Sequence, residues 1–196
     1  MMNNILIILT LTIVYIIVKP NFRKYIQHRV SENRSFNSNP LPDIGHYILP
    51  NLKKYYYVGD ILVYLISFIT LIYCVLVNSN GITCIIDIIT IFIICIIIKL
   101  IMTTVTILPD SSNECEIKST HCLGYCNDLL PSGHMMFVFI TYMALYPKLP
   151  SIMHILYISL IFLVWLITIS SRNHYTIDTL VSFFVSYTVI SMYNNN

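Results

Sequence analysis

Charge is scarce in this chain: of 196 residues only 10% are Asp, Glu, Lys or Arg. A soluble surface of this size needs roughly a quarter of its residues charged, so an ordinary soluble domain fits poorly. Disorder is excluded from the other direction, by a 57% hydrophobic content and a mean hydropathy of +0.75. The basic excess is slight, at +2, and most of the eleven Lys and Arg gather in one segment instead of lining a face with interleaved aromatics. That distribution argues against a nucleic-acid partner. Self-similar repeats are missing, as are low-complexity tracts apart from a terminal Asn run. Common zinc spacings are missing too. Cys115, Cys122 and Cys126 are separated by six and then three residues beside His121, where zinc sites use tighter pairs. A disulfide or plain thiols remain open for them. Cys74, Cys84 and Cys95 lie inside apolar runs, where a thiol acts as a small hydrophobe. No metal and no cofactor are expected.

What the chain has instead is apolar runs of membrane-crossing length. A bilayer core needs about 20 mostly apolar residues per helix. Six candidate spans follow: residues 5–18, 61–77, 82–107, 132–146, 152–170 and 175–193. The first is short, and without a basic leader or a small-residue cleavage site it reads as a retained anchor. The third carries Asp87 and Lys99. The expectation is an all-α membrane protein, a bundle of six transmembrane helices forming a single domain over 1–196.

The connections decide where chemistry can sit. Two joins are long, 19–60 and 108–131, and a third is the tight Ser171, Arg172, Asn173, His174; all three follow odd-numbered spans and so share one side of the membrane. Spans four and six therefore both begin at that face, with unsatisfied N–H groups and positive dipole ends directed to it. Such an arrangement favours an anion, and phosphate above all.

Pro131-Ser132-Gly133-His134 opens span four; His174 opens span six, with Asp178 four residues on. A spacing of four puts His174 and Asp178 on one helix face, the base-and-orienter half of a nucleophilic site. Read singly, each is an interfacial histidine or a helix-start charge. Read together they make a functional candidate, because an ionisable group inside a span is costly to bury.

Those residues carry a resemblance. Pro131-Ser132-Gly133-His134 and Ser171-Arg172-Asn173-His174-Tyr175-Thr176-Ile177-Asp178 resemble the second and third signatures of the type 2 phosphatidic acid phosphatase superfamily. The compressed third signature resembles its sphingomyelin synthase and inositol phosphorylceramide synthase branch. Cys126-Asn127-Asp128 is similar to that branch's Cys-Gly-Asp, Leu41-Pro42-Asp43 to its Leu-Pro-Asp, and the stretch from Lys99 through Thr106 to Leu108-Pro109 to its Arg-led, Thr-rich segment. Five matches in order are more specific than any one. Lys99 departs from the pattern, replacing a bidentate phosphate contact with a point charge.

The resemblance implies a lipid head-group transferase. His174 would attack phosphorus, Asp178 would orient it, and His134 would protonate the departing oxygen and then activate an acceptor hydroxyl. Arg172, Lys99, Ser132 and Gly133 would hold the phosphate oxygens, and Asp128 would hold His134 in its useful tautomer. The partners implied are a phospholipid donor, a ceramide-like or diacylglycerol lipid, and the membrane. A lipid phosphate phosphatase and a catalytically idle membrane protein remain alternatives. Outside this set, Tyr55, Tyr56 and Tyr57 read as an interfacial anchor, and His154 as a hydrogen-bonded interior residue. Asp87 and Lys99 are more than three turns apart, too far to pair.

Orientation sets two arguments against each other. Lys19, Arg23, Lys24, Arg29, Arg34, Lys53, Lys54, Lys118 and Arg172 lie outside the spans on the side of the chemistry, against Lys148 alone on the other. The positive-inside rule would make that side cytoplasmic. The resemblance implies a lumenal or extracellular active site, in an endomembrane or the plasma membrane, and is preferred here. On that placement Asn33-Arg34-Ser35 is a usable glycosylation sequon, and Cys115 with Cys126 can form a disulfide.

Overall fold

The computed structural model describes residues 9, 10, 12, 13, 15–17, 19–22, 24, 25, 28, 40–76, 80–109, 111 and 129–194. Among these there is no strand, and the described positions between 9 and 28 are helical. A short α1 (Ile44–Ile48) leads through a 3-10 turn (Lys53–Tyr55) into α2 (Tyr57–Leu76). Then come α3 (Gly81–Val105), α4 (Gly133–Leu145), a 3-10 turn (Tyr146–Lys148), α5 (Ser151–Ser170) and α6 (Thr176–Asn194).

Among the described residues four segments are long and apolar enough to cross a membrane: Lys53–Leu76, Gly81–Val105, Ser151–Ser170 and Thr176–Asn194. The expected count of six is not confirmed: the expected first span, 5–18, lies partly outside the described residues, and span four is a helix of only 13 residues. At about 1.5 Å per residue it is roughly 20 Å long, short of a hydrocarbon core of about 30 Å. The reason is its position. α4 packs against α2, α3, α5 and α6, and seven of its residues, among them Met135, Met136, Val138, Ile140 and Leu145, are buried. A helix that is apolar all round and enclosed by neighbours is a core element.

The surrounding helices close on α4 through faces set by helical spacing. On α3 the buried seam is Cys84, Ile88, Ile91, Cys95, Lys99 and Thr103, so Lys99 points inward because it is in register with the core. On α6 the buried face carries Asp178, Ser182, Ser186 and Ile190; small side chains there allow the close approach on which helix association in lipid rests. Gly81 starts α3 against the carbonyl of Cys74, which a Cβ would meet at 1.8 Å. Away from the site, Asp87 accepts the Tyr193 hydroxyl at 2.8 Å. His154, half-buried, lies 3.5 Å from the Tyr142 hydroxyl through Nδ1. Tyr55, Tyr56 and Tyr57 are exposed where α2 begins.

Candidate active site

The segment before α4 is held from α3. Lys99 Nζ donates to the carbonyl of Pro131 at 2.6 Å, and Thr103 Oγ1, one turn on, donates to that of Leu130 at 3.0 Å. From α6, Ser182 Oγ lies 3.0 Å from Ser132 O and 2.6 Å from Asp178 O, and Ser132 N–H donates to Asp178 O at 3.2 Å. The first turns of α4 and α6 are thereby tied edge to edge, which brings His134 and His174 together. Their ring centres are 6.4 Å apart and inclined at 71°.

Each histidine has a carboxylate behind it. His174 Nδ1 stands 3.4 Å from Asp178 Oδ2, a long contact of the kind that tightens when substrate binds. The same Oδ2 accepts from Tyr175 N–H at 2.8 Å, which fixes the carboxylate at the start of α6, while Oδ1 is buried and unpartnered. This geometry leaves His174 Nε2 free. His134 is held differently: Nε2 lies 2.6 Å from Asp60 Oδ1, so Nδ1 is its free nitrogen. Asp60 was not among the expected residues. Its signal in the sequence was a carboxylate in the first turn of an otherwise uncharged span. Asp128, expected to hold His134, lies outside the described residues, as do Asn33, Cys115, Cys122 and Cys126.

Burial separates the two sides. His174 is only 7% exposed. Burial pushes its pKa below the ordinary 6.5; Asp178 opposes that shift, and Lys99 and His134 add to it. The ring is therefore neutral, with a lone pair available, at neutral pH. The His134 and Asp60 side chains are more open, at 28% and 37% exposure.

The expected phosphate-holding residues divide. Ser132 stands before α4 without capping it, its hydroxyl buried and unpartnered, and nothing lies within 4 Å of where a Cβ on Gly133 would sit. Together they leave a helix start open toward His134. Lys99 is buried close enough to act on the charge of His174. Arg172 adopts a left-handed backbone with φ of 60°. Its Nη2 donates to the carbonyls of His46 at 2.6 Å and Leu49 at 3.3 Å, while Nη1 is buried and unpartnered. It clamps the first loop with one edge and keeps a donor on the other.

Residues 125–195 match the family model PAP2 superfamily C-terminal. The match takes in both histidines, Asp178, Arg172 and the start of α4. It supports the type 2 phosphatidic acid phosphatase superfamily and, with it, phosphatase or phosphotransferase chemistry on lipids. No curated protein matches the chain. Within this PAP2-like region the spacing between the two histidine signatures is set by one helical hairpin, α4 and α5. Asp60, Asp43 and Lys99 reach the site from the part of the chain that precedes it.

Proposed function

We propose that the protein is a membrane phosphotransferase that moves a phosphorylated head group from a glycerophospholipid to a ceramide-like acceptor through a phosphohistidine. The observation that carries this reading is the facing pair His174–Asp178 and His134–Asp60, each ring with one nitrogen held by a carboxylate and the other free.

In the first half-reaction His174 Nε2 gives its lone pair to phosphorus. The bond from phosphorus to the diacylglycerol oxygen breaks, its electron pair stays with that oxygen, and a proton from His134 Nδ1 completes the alcohol. In the second, the now neutral Nδ1 takes the proton of the acceptor hydroxyl, that oxygen attacks phosphorus, and the N–P pair returns to His174. Charge growing on the non-bridging oxygens is met by the open start of α4, by Lys99 and by the spare edge of Arg172. Transfer to a lipid in place of water requires that water be kept from the intermediate; the burial of His174 favours that outcome. The site face is placed in the lumen or outside the cell, which the resemblance to sphingomyelin synthases supports.

Labelled ceramide supplied with phosphatidylcholine, phosphatidylethanolamine or phosphatidylinositol, resolved by thin-layer chromatography, tests the reading. A labelled phosphosphingolipid is the expected product from at least one donor. Release of free phosphorylated head group, or of inorganic phosphate from phosphatidic acid, would replace the transferase by a lipid phosphatase using the same histidines. A glycosidase-sensitive mobility shift lost in Asn33→Gln supports the lumenal placement, and labelling of Cys122 from the cytosol alone would reverse it.

A further inference from the structure

We propose that residues 41–49, before the first long helix, are the positioning element of the nucleophile loop, with Asp43 and His46 setting the backbone that aims His174. The functional half of this proposal rests on the reading of His174 as the attacking nitrogen; the structural half does not.

The contacts are unusually specific for segments more than 120 residues apart. Asp43 uses both carboxylate oxygens. Oδ1 accepts from His46 N–H at 2.9 Å and from the Thr176 hydroxyl at 2.8 Å, while Oδ2 accepts from Thr176 N–H at 2.8 Å. One side chain thus caps α1 and ties down the first residue of α6, two positions after His174. Burial alone would raise the Asp43 pKa, but the N–H donors of His46 and Thr176 and the Thr176 hydroxyl outweigh it and hold it below 3.8. His46 acts one step nearer the ring: Nε2 lies 3.0 Å from the carbonyl oxygen of His174, and its imidazole stacks on Tyr175 at 5.4 Å and 30°. The Tyr175 hydroxyl in turn donates to Pro109 O at 3.1 Å and accepts from Leu41 N–H at 3.0 Å. Thus Leu41-Pro42 and Leu108-Pro109 meet on one phenol.

Shape agrees with the hydrogen bonds. A Cβ on Gly45 would lie 2.3 Å from Thr176 Oγ1 and 2.8 Å from Ile169 Cγ2, so only glycine lets α1 come this close. On the other side of the turn, Arg172 holds a left-handed backbone that a residue with a Cβ adopts at a cost. That conformation persists because Arg172 Nη2 grips His46 O and Leu49 O and because Ser111 Oγ donates to Arg172 O at 2.6 Å. Every residue from 170 to 176 except Ser171 and Asn173 has a partner in residues 41–52 or 109–111. Asp178, which holds the His174 ring, belongs to a helix; His46, which holds its carbonyl, belongs to this strap.

Hydrogen exchange read by mass spectrometry on the full chain in lipid nanodiscs tests the structural half. Asp43→Ala should speed exchange of amides 174–178 by about tenfold, as expected for losing charge-assisted bonds at a helix start, with α3 and α5 unchanged. Asp43→Asn, which keeps an acceptor, should lie between. His46→Gln, which retains a side-chain N–H, should resemble the parent chain; His46→Phe, which retains only the ring, should not. If Asp43→Ala does not fold, Thr176→Val removes the hydroxyl bond alone and should still loosen 174–178. Unchanged exchange there, or a uniform rise through all helices, would overturn the proposal. The functional half is read by trapping labelled head group on His174 from a short-chain phospholipid. Capture at saturating donor should slow about tenfold in His46→Phe and recover in His46→Gln, with the half-saturating donor concentration unchanged. Equal slowing in both variants would overturn it. A parent chain that captures no label removes the reading of His174 as nucleophile, and the exchange result then decides the strap by itself.

Discussion

The two histidines sit side by side yet are held in contrasting ways. His174 is buried, its ring backed by Asp178, its carbonyl held by His46, and the residues around it strapped from two loops. His134 lies on the first turn of a short central helix, more than a quarter of its side chain exposed, facing Asp60 across 2.6 Å. The difference matches the tasks proposed for them. A nucleophile attacks along one line and gains from being fixed before substrate arrives. An acid that later serves as base must meet two different lipid oxygens, and an open ring with one nitrogen pinned suits that.

The largest expected effect comes from removing the fixed side. His174→Ala should abolish both transfer and label capture, a loss of about 10⁴-fold or more, measured as initial rates on protein that stays monodisperse in detergent. Asp178→Asn should follow closely, at about 10³- to 10⁴-fold, because an amide favours the wrong tautomer of the ring. Retention of most capture by either variant would dissolve the contrast, since the buried ring would then be structural.

The open side should be more forgiving. His134→Ala is expected to slow transfer by about 10²- to 10⁴-fold, the usual worth of a positioned acid or base. Asp60→Asn should cost only about tenfold, because an amide oxygen still accepts from Nε2–H and keeps the ring in place. An Asp60→Asn loss as large as that of Asp178→Asn would mean that the two carboxylates play equivalent roles.

How much of this the sequence disclosed depends on the range over which each feature is encoded. Helical spans, the His174–Asp178 pair and the turn between α5 and α6 are local, and composition and a spacing of four reveal them. The length of α4 is not: its apolar run looks like the others, and only enclosure by four neighbours makes 13 residues sufficient. The partners of Asp60 and His46 could not be read for a similar reason. Each is separated by more than 70 residues from its partner at the site, and no periodicity links a first-turn carboxylate on α2 to a ring on α4. Asp43 showed in the sequence only as part of a resemblance; what it does, capping α6 from across the fold, is set by tertiary structure. Arg172 was expected on the phosphate, and one edge of it is spent instead on the first loop.

Packing at that strap gives a prediction of intermediate size. Gly45→Ala pushes a methyl group into Thr176 and Ile169, and overpacking of this kind destabilises by about 1–3 kcal/mol. A detergent thermal-unfolding series should show Gly45→Ala melting below the parent chain. Gly133→Ala, where a methyl group meets nothing within 4 Å, should melt with it. Gly133→Ala should lose activity all the same if the space it fills is where phosphate sits.

The smallest effect expected is also the one whose sign is most constrained. Burial lowers the His174 pKa below 6.5, with Lys99 and His134 acting in the same direction and Asp178 against them. Protonation removes the lone pair that attacks, so the acid limb of label capture should fall below pH 6.5. The folded state prefers the neutral ring, so its contribution to stability is complete above pH 6.5 and is lost as the pH falls through the range between the unfolded and folded values. Asp178→Asn removes the influence that favours the charged ring and should move the acid limb of its residual activity lower still. Lys99→Met removes a neighbouring positive charge and should move it up. The shifts run in opposite directions for two substitutions that both slow the reaction. General damage to the site cannot produce that pattern, so pH profiles of the two variants, compared with that of the parent chain, isolate the electrostatics of the buried histidine from its packing.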